Sequence, residues 1–178
     1  AILESGDTLS TSNYEVRSFD ISGEEGSARD ITFSDDGKKM FIVGNNNHDV
    51  HEYTLSTAFN ISSAVFVDTL SVPDSGRPFD VKFNNDGSKM FIAGRAEKKV
   101  FEYSLSTNFD ISSASVTYTG NFIDVSSQLS AQLNGLTFSP DGKIMIISEQ
   151  AFGLHQYSLN KSFAVSYTHL RAHETVHY

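Results

Sequence analysis

The chain has 178 residues, 39% of them hydrophobic and 20% charged, which suits one compact unit or a piece of a larger one. Thirteen Lys and Arg against 22 Asp and Glu leave a net charge of -9, so most of the surface repels nucleic acid and anionic membranes. No apolar run approaches the roughly 20 residues of a membrane-spanning helix, and a soluble chain is expected; the lack of cysteine removes disulfides, thiolate zinc sites and a cysteine nucleophile but leaves the compartment open.

In chain order, residues 1–11 form an N-terminal segment, and Tyr14 to Ile21, within residues 12–27, reads as a lone outer strand. A repeat follows. Arg29 to Ala64 aligns without a gap to Phe79 to Ala114, with more than half of the positions identical. A third copy starts at Asn134 with a central loop one residue shorter. The period is about 50 residues. The units are residues 28–77, 78–133 and an incomplete 134–164.

Every element within a unit reads as β. Ile31 and Phe33 alternate with polar neighbours, as do Val81 and Phe83, then Leu136 and Phe138, giving a first strand with period two. Asp36-Gly37, Asp86-Gly87 and Asp141-Gly142 follow at a fixed offset, placing glycine where a type I turn with a left-handed bulge residue needs positive φ. Met40 to Val43, Met90 to Ala93 and Met145 to Ser148 form an apolar second strand covered on both faces. The third strand, Val50 to Leu55 and its copies, is half polar. It runs into Phe59-Asn60-Ile61-Ser62, Phe109-Asp110-Ile111-Ser112 and Phe163-Ala164, a turn whose Asn or Asp bonds its own backbone while Phe plugs the base of the sheet. A variable fourth strand lies near Val65 to Val72 and Val116 to Val125.

Four antiparallel strands per repeat with a doubly covered second strand describe an all-β chain: a β-propeller fragment of about three four-stranded antiparallel blades. A β-solenoid is the runner-up, but its coils are shorter and lack alternating hairpins. Gly135 to Lys143 (GLTFSPDGK) resembles the first-strand turn of lactonase-like, NHL-like and WD-repeat-like propellers. The longer unit, with Lys-Met-Phe-Ile and Glu-Tyr-Ser-Leu-Ser-Thr-Asn-Phe-Asp-Ile-Ser, is similar to propeller repeats of environmental, metagenomic and phage-associated bacterial sequences. The resemblance spans residues 12–164 and implies a secreted, cell-surface or particle-surface setting. It is specific for fold and not for function.

Residues 165–178 break the pattern and resemble the translation of a widely used transposase sequencing adapter; they are expected to be read-through without function. His169, His173 and His177 there carry a spacing that imitates a metal site. The strand count, a lone fourth strand, two whole blades and three strands of another, leaves two readings open. Either a homodimer closes a six-bladed ring, each first strand completing the last blade of the other copy, or the chain is half of a longer natural propeller.

Function is expected on the face formed by the loops before the first strand and after the second, which diverge among the copies. The candidates are Asn45, Asn46, Asn47, His48 and Asp49, then Arg95, Glu97 and Lys98, and Arg29 and Arg77 near the channel mouth, where they suit a carboxylate or phosphate. Asp30 and Asp80 recur and are expected to accept hydrogen bonds between blades, whereas Lys82 reads as a solvated lysine. His51 and His155 share a position with Phe101, an exchange that points to packing rather than metal binding. Asp35, Asp36 and Asp86 lack the spacing and terminal Glu of a calcium loop and read as turn formers. No catalytic motif, metal site or cofactor fingerprint occurs. The expected function is a non-enzymatic scaffold for a protein or glycan ligand, with no nucleic-acid or membrane partner; the alternative is a lactonase-like or other hydrolase propeller with a metal in the central channel.

Overall fold

Each unit opens with a hairpin that glycine makes possible. In the first, the Gly37 N–H donates to the Ser34 carbonyl at 2.8 Å with Gly37 at a φ of 67°, and the Ser34 N–H closes the turn on the Lys39 carbonyl at 3.0 Å. Asp36 braces it by accepting from the Ser34 hydroxyl (2.7 Å) and the Lys38 N–H (3.0 Å), hydrogen bonds that hold its carboxyl below the usual range. Asp141 does the same with the Ser139 hydroxyl and the Lys143 N–H, and Asp86 accepts both the hydroxyl and the N–H of Ser88. These aspartates are turn formers, as the sequence predicts.

The computed structural model describes residues 16–112, 114–150, 153–165 and 171–172. The first unit forms β1 (Ala28–Phe33), β2 (Lys39–Gly44), β3 (Asp49–Leu55) and β4 (Ala64–Ser71). The second forms β5 (Pro78–Phe83), β6 (Lys89–Gly94), β7 (Lys99–Leu105) and β8 (Val116–Asp124). The third forms β9 (Leu133–Phe138), β10 (Ile144–Glu149), β11 (Gly153–Ser158) and the short β12 (Arg171–Ala172). Each set is one antiparallel sheet in sequential order. The innermost strands β1, β5 and β9 lie against one another in succession, so the sheets stand as blades around an axis.

The apolar second strands supply both faces of each blade. Met40 and Ile42 point to one side with Tyr53 and Leu55, while Phe41 and Val43 point to the other, where they meet Met90, Ile92, Tyr103 and Leu105 of the second blade. Phe91, Ala93 and Val100 then meet Met145, Ile147, Tyr157 and Leu159 of the third. Each of these large side chains contributes about 2 kcal/mol by leaving water.

Polar connectors sit at the same places in both seams. Asp30 accepts the Val81 N–H at 3.2 Å and Asp80 accepts the Leu136 N–H at 2.8 Å, which is the inter-blade role expected of them. Lys39 pairs with Glu52 at 2.7 Å, and together they grip the next blade: the ammonium donates to the Phe109 carbonyl (2.6 Å) and the carboxylate accepts the Ile111 N–H (3.0 Å). Lys89 and Glu102 repeat this on the Phe163 carbonyl (3.0 Å) and the Val165 N–H (3.3 Å).

Phe59, Phe109 and Phe163 have φ values of 56°, 55° and 51°, unexpected from sequence for a bulky residue. Their N–H groups donate to the carbonyls of Gly37, Gly87 and Gly142, and each ring lies over its glycine so closely that a Cβ there would overlap it. Phe109 plugs the base between Phe41 and Phe83, and Phe163 does so between Phe91 and Phe138. Asn60 and Asp110 accept from Ser62 and Ser112 N–H as expected.

Two expectations change. Residues 16–21 form no strand; Phe19 packs edge-on against Tyr53, and Ile21 joins the apolar cluster on the open face of blade 1. Val165, assigned to the tail, is fully buried and bonded to Glu102, and Arg171–Ala172 pairs with Tyr157 and Ser158 in the fourth-strand position. His169, His173 and His177 lie outside the described residues. Among the described residues no helix is long and apolar enough to cross a membrane.

Candidate functional site

At one end of the blades, the loop entering each first strand is tied to the loop leaving each second strand. The Asn45 N–H donates to the Ser27 carbonyl (3.2 Å), Arg95 to Arg77 (2.8 Å) and Gln150 to Gln132 (2.8 Å). Each first strand also carries a bulge at its start, at Arg29, Phe79 and Asn134. A bulge re-aims its side chain, and at the first two bulges Arg29 and Phe79 meet.

Phe79 is the centre of the cluster. The Arg29 guanidinium lies 5.5 Å and that of Arg95 4.4 Å from its ring centroid. Each such contact contributes about 0.5–1 kcal/mol at an exposed position. Arg95 is held by donating to Gln132 Oε1 (2.7 Å) and Gln150 Oε1 (3.0 Å), and Arg77 donates to Asn45 Oδ1 at 3.3 Å. Among the described residues no carboxylate pairs with Arg29, Arg77 or Arg95. The guanidinium groups gathered here suit a carboxylate or phosphate.

The structure thus brings together Arg29, Asn45, Arg77 and Arg95, and adds Phe79, Gln132 and Gln150, which sequence reasoning passed over. Phe79 is the residue aligned with Arg29, so its place in the repeat was the available signal. Asn46 and Asn47 are exposed at the loop tip. The other candidates serve the scaffold. His48 is left-handed at a φ of 62° and its carbonyl takes the Val72 N–H at 2.9 Å; Lys98, at 52°, does the same for Val125 at 3.0 Å and caps the Leu129 carbonyl with its ammonium at 2.9 Å. Asp49 opens β3 opposite Ser71. Glu97 folds inward over Gly76 and Gly94, which have no Cβ to obstruct it.

Glu97 belongs to a second pattern. Glu25 occupies the same kind of site above Gly44, and in the third blade Glu149 stands in the glycine position itself. The carboxylates of Glu25 and Glu149 accept loop N–H groups, from Ser27 (2.6 Å) and Ala131 (2.8 Å), and both face a histidine: Glu25 lies 3.8 Å from His51 Nε2 and Glu149 3.4 Å from His155 Nε2. His51 is also tied to the Thr69 hydroxyl at 2.9 Å. The histidines are packed, as expected, and additionally matched to carboxylates that come from two different places in the repeat.

Lys82, expected to be a solvated lysine, is instead half-buried and paired. Its ammonium lies 2.7 Å from Asp30 Oδ2 and 2.7 Å from Asp80 Oδ1, because desolvating two neighbouring carboxylates requires a cation between them. Burial pushes the Asp80 carboxyl up to about 7; Lys82 pulls it down and the charge of Asp30 raises it further. Among the described residues no group of three or more His, Asp or Glu could hold a metal ion.

No protein-family model and no curated protein matches the chain. Solved structures do. A protein from Lactobacillus plantarum is 16% identical with a TM-score of 0.60, covering 84% of this chain and 41% of that one. The β-propeller domain of Swd1 from Myceliophteria thermophila matches at 8% identity and a TM-score of 0.50, over 75% of this chain and 38% of that one. The fold is a β-propeller fragment. The periplasmic gluconolactonase of Pseudomonas aeruginosa is a further neighbour of this propeller, at 15% identity and a TM-score of 0.53 over 82% of this chain and 40% of that one. The chain therefore spans about two fifths of the length of these structures.

Proposed function

We propose that this propeller is a non-enzymatic scaffold that binds a protein or glycan ligand bearing carboxylate or phosphate groups through the loops at its channel mouth. The observation that carries the reading is the Arg29–Phe79–Arg95 stack with Arg77 beside it, on a chain of net charge -9. An aromatic ring beside guanidinium groups suits a sugar or an aromatic side chain, and the arginines suit an attached anion. Calorimetric titration with oligogalacturonate and with an acidic peptide tests it. Binding to one of them is expected, weakened about tenfold or more by Arg29→Ala with Arg95→Ala, in line with the loss of charge-assisted hydrogen bonds. No heat with either probe, or equal binding by the variant, counts against it.

A lactonase-like hydrolase with a channel metal is the second reading, supported by the gluconolactonase neighbour. Asp30 and Asp80 are the carboxylates available to such a metal, but the Lys82 ammonium fills the space between them, so these residues do not fit a divalent cation. Hydrolysis of gluconolactone that depends on added calcium or zinc and disappears in Asp80→Asn would establish this reading instead. The tail assigned as residues 165–178, less the buried Val165, is proposed to be adapter read-through without a role in binding.

A further inference from the structure

The two seams reveal what one blade presents to the next. The leading blade contributes an Asp from its first strand and a Lys–Glu pair from its second and third, and the following blade contributes a first-strand N–H, a phenylalanine carbonyl and a nearby N–H. Blade 1 carries the receiving set intact, in Ile31, Phe59 and Ile61, with no leading partner among the described residues. Ile31 is 49% and Phe59 61% exposed, against 0% for Val81, and a cavity of about 360 Å³ opens beside Ile31, Ile42 and Ile61. Phe19 and Ile21, in a segment without strand structure, pack at this face.

Blade 3 lacks the donating set. Where the first two blades have Asp30 and Asp80 it has Gly135, where they have Lys39 and Lys89 it has Ile144, and where they have Glu52 and Glu102 it has Gln156. All three connectors are lost together from a unit whose turns are otherwise copied. The two open faces of the arc are therefore not complementary in hydrogen bonding. A ring of two copies would seat Gly135, Ile144 and Gln156 against the Ile31 N–H, Phe59 carbonyl and Ile61 N–H, leaving the first two of these without partners in a buried seam.

We propose that the open face of blade 1 is a docking surface for one further blade of this same repeat, carrying Asp, Lys and Glu at the positions of Asp30, Lys39 and Glu52, and that blade 3 of a second copy does not take that place. The short span of the chain relative to the propellers it resembles supplies a natural source for such a blade.

Amide hydrogen exchange on the whole chain, together with light scattering, tests this. In the chain alone, Ile31 and Ile61 should exchange about 100-fold faster than Val81 and Ile111, and the chain should scatter as a monomer, since an open seam exchanges locally. A second copy of residues 77–115 is then placed ahead of residue 14, so that residues 14–21 can serve as its fourth strand. Ile31 and Ile61 should become protected to the level of Val81 and Ile111, and lose that protection when the added copy carries Asp80→Ala and Glu102→Ala. A dimer of the native chain with Ile31 and Ile61 already protected overturns the proposal, as does an added copy that leaves both amides fast. Should the added copy prove insoluble, Gly135→Asp with Ile144→Lys, Gln156→Glu and Ser148→Ala in the native chain supplies the other arm: head-to-tail association at least about tenfold tighter than the parent is expected, and unchanged association overturns it.

Discussion

The carboxylate of Asp80 accepts the N–H of Leu136 at 2.8 Å across the seam between the second and third blades, while Lys82 holds its other oxygen at 2.7 Å. One side chain thus ties together two first strands and a buried lysine. Asp80→Ala leaves the Leu136 N–H and the Lys82 ammonium without it, and should cost about 2–3 kcal/mol. Asp30→Ala, at a more exposed connector with a longer 3.2 Å bond to Val81, should cost less. Urea midpoints of the two variants against the parent check the order.

Stability should depend on pH through the same residue. The Asp80 carboxyl titrates near 3.8 when unfolded and is raised to about 7 when folded, so the native state binds the extra proton between those values. Its contribution is fully present below about pH 3.8 and is lost as pH rises through about 7. Asp80→Asn keeps an acceptor for Leu136 and cannot titrate. The fall in urea midpoint between pH 5 and pH 8 should therefore be smaller in Asp80→Asn than in the parent.

Glu52 and Glu102 occupy equivalent clamps of unequal quality. Glu52 lies 2.7 Å from Lys39 and 3.0 Å from the Ile111 N–H, whereas the Glu102 distances to Lys89 and Val165 are both 3.3 Å. Removing one partner of a buried pair costs about 3 kcal/mol, so Glu52→Ala should approach that figure and Glu102→Ala should fall short of it. Replacing Lys39 and Glu52 together by Met should recover part of the loss in thermal denaturation, since no lone charge remains buried.

Phe59 and Phe109 separate local geometry from seam packing. They share the same left-handed backbone and the same glycine beneath the ring, yet Phe59 is 61% exposed and Phe109 packs on Phe41 and Phe83 across a seam. Phe109→Ala should cost about 2–3 kcal/mol through lost burial and the space left behind. Phe59→Ala should cost under about 1 kcal/mol. Chemical denaturation of both variants measures the difference, and equal losses would show that the turn, not the seam, sets the value of the residue.

How the site was legible follows from the same residues. Divergent loops between copied turns pointed to one face, and Arg29, Asn45, Arg77 and Arg95 gather there. Glu97, Lys98, His48 and Asp49 sit in those loops too, but a loop residue can turn inward as easily as outward, and one sequence holds no sign of which. Phe79 was hidden because it is apolar in a strand that looked like core; it sits at a bulge, a feature of register, and meets Arg29 and Arg95.

By itself the sequence determined the strands, the turns and their repetition, because side-chain period and the backbone freedom of glycine act within a few residues of one another. It also located the inter-blade aspartates, since recurrence marks what every unit needs. Only the tertiary structure decided that Lys82 lies between two carboxylates, that Lys39 and Glu52 reach past their own blade, and that Phe19 and Ile21 cover an open face instead of pairing as a strand. Those outcomes depend on which groups from distant parts of the chain meet out of water, where an unmatched charge or an uncovered apolar face costs more than any local preference can offset.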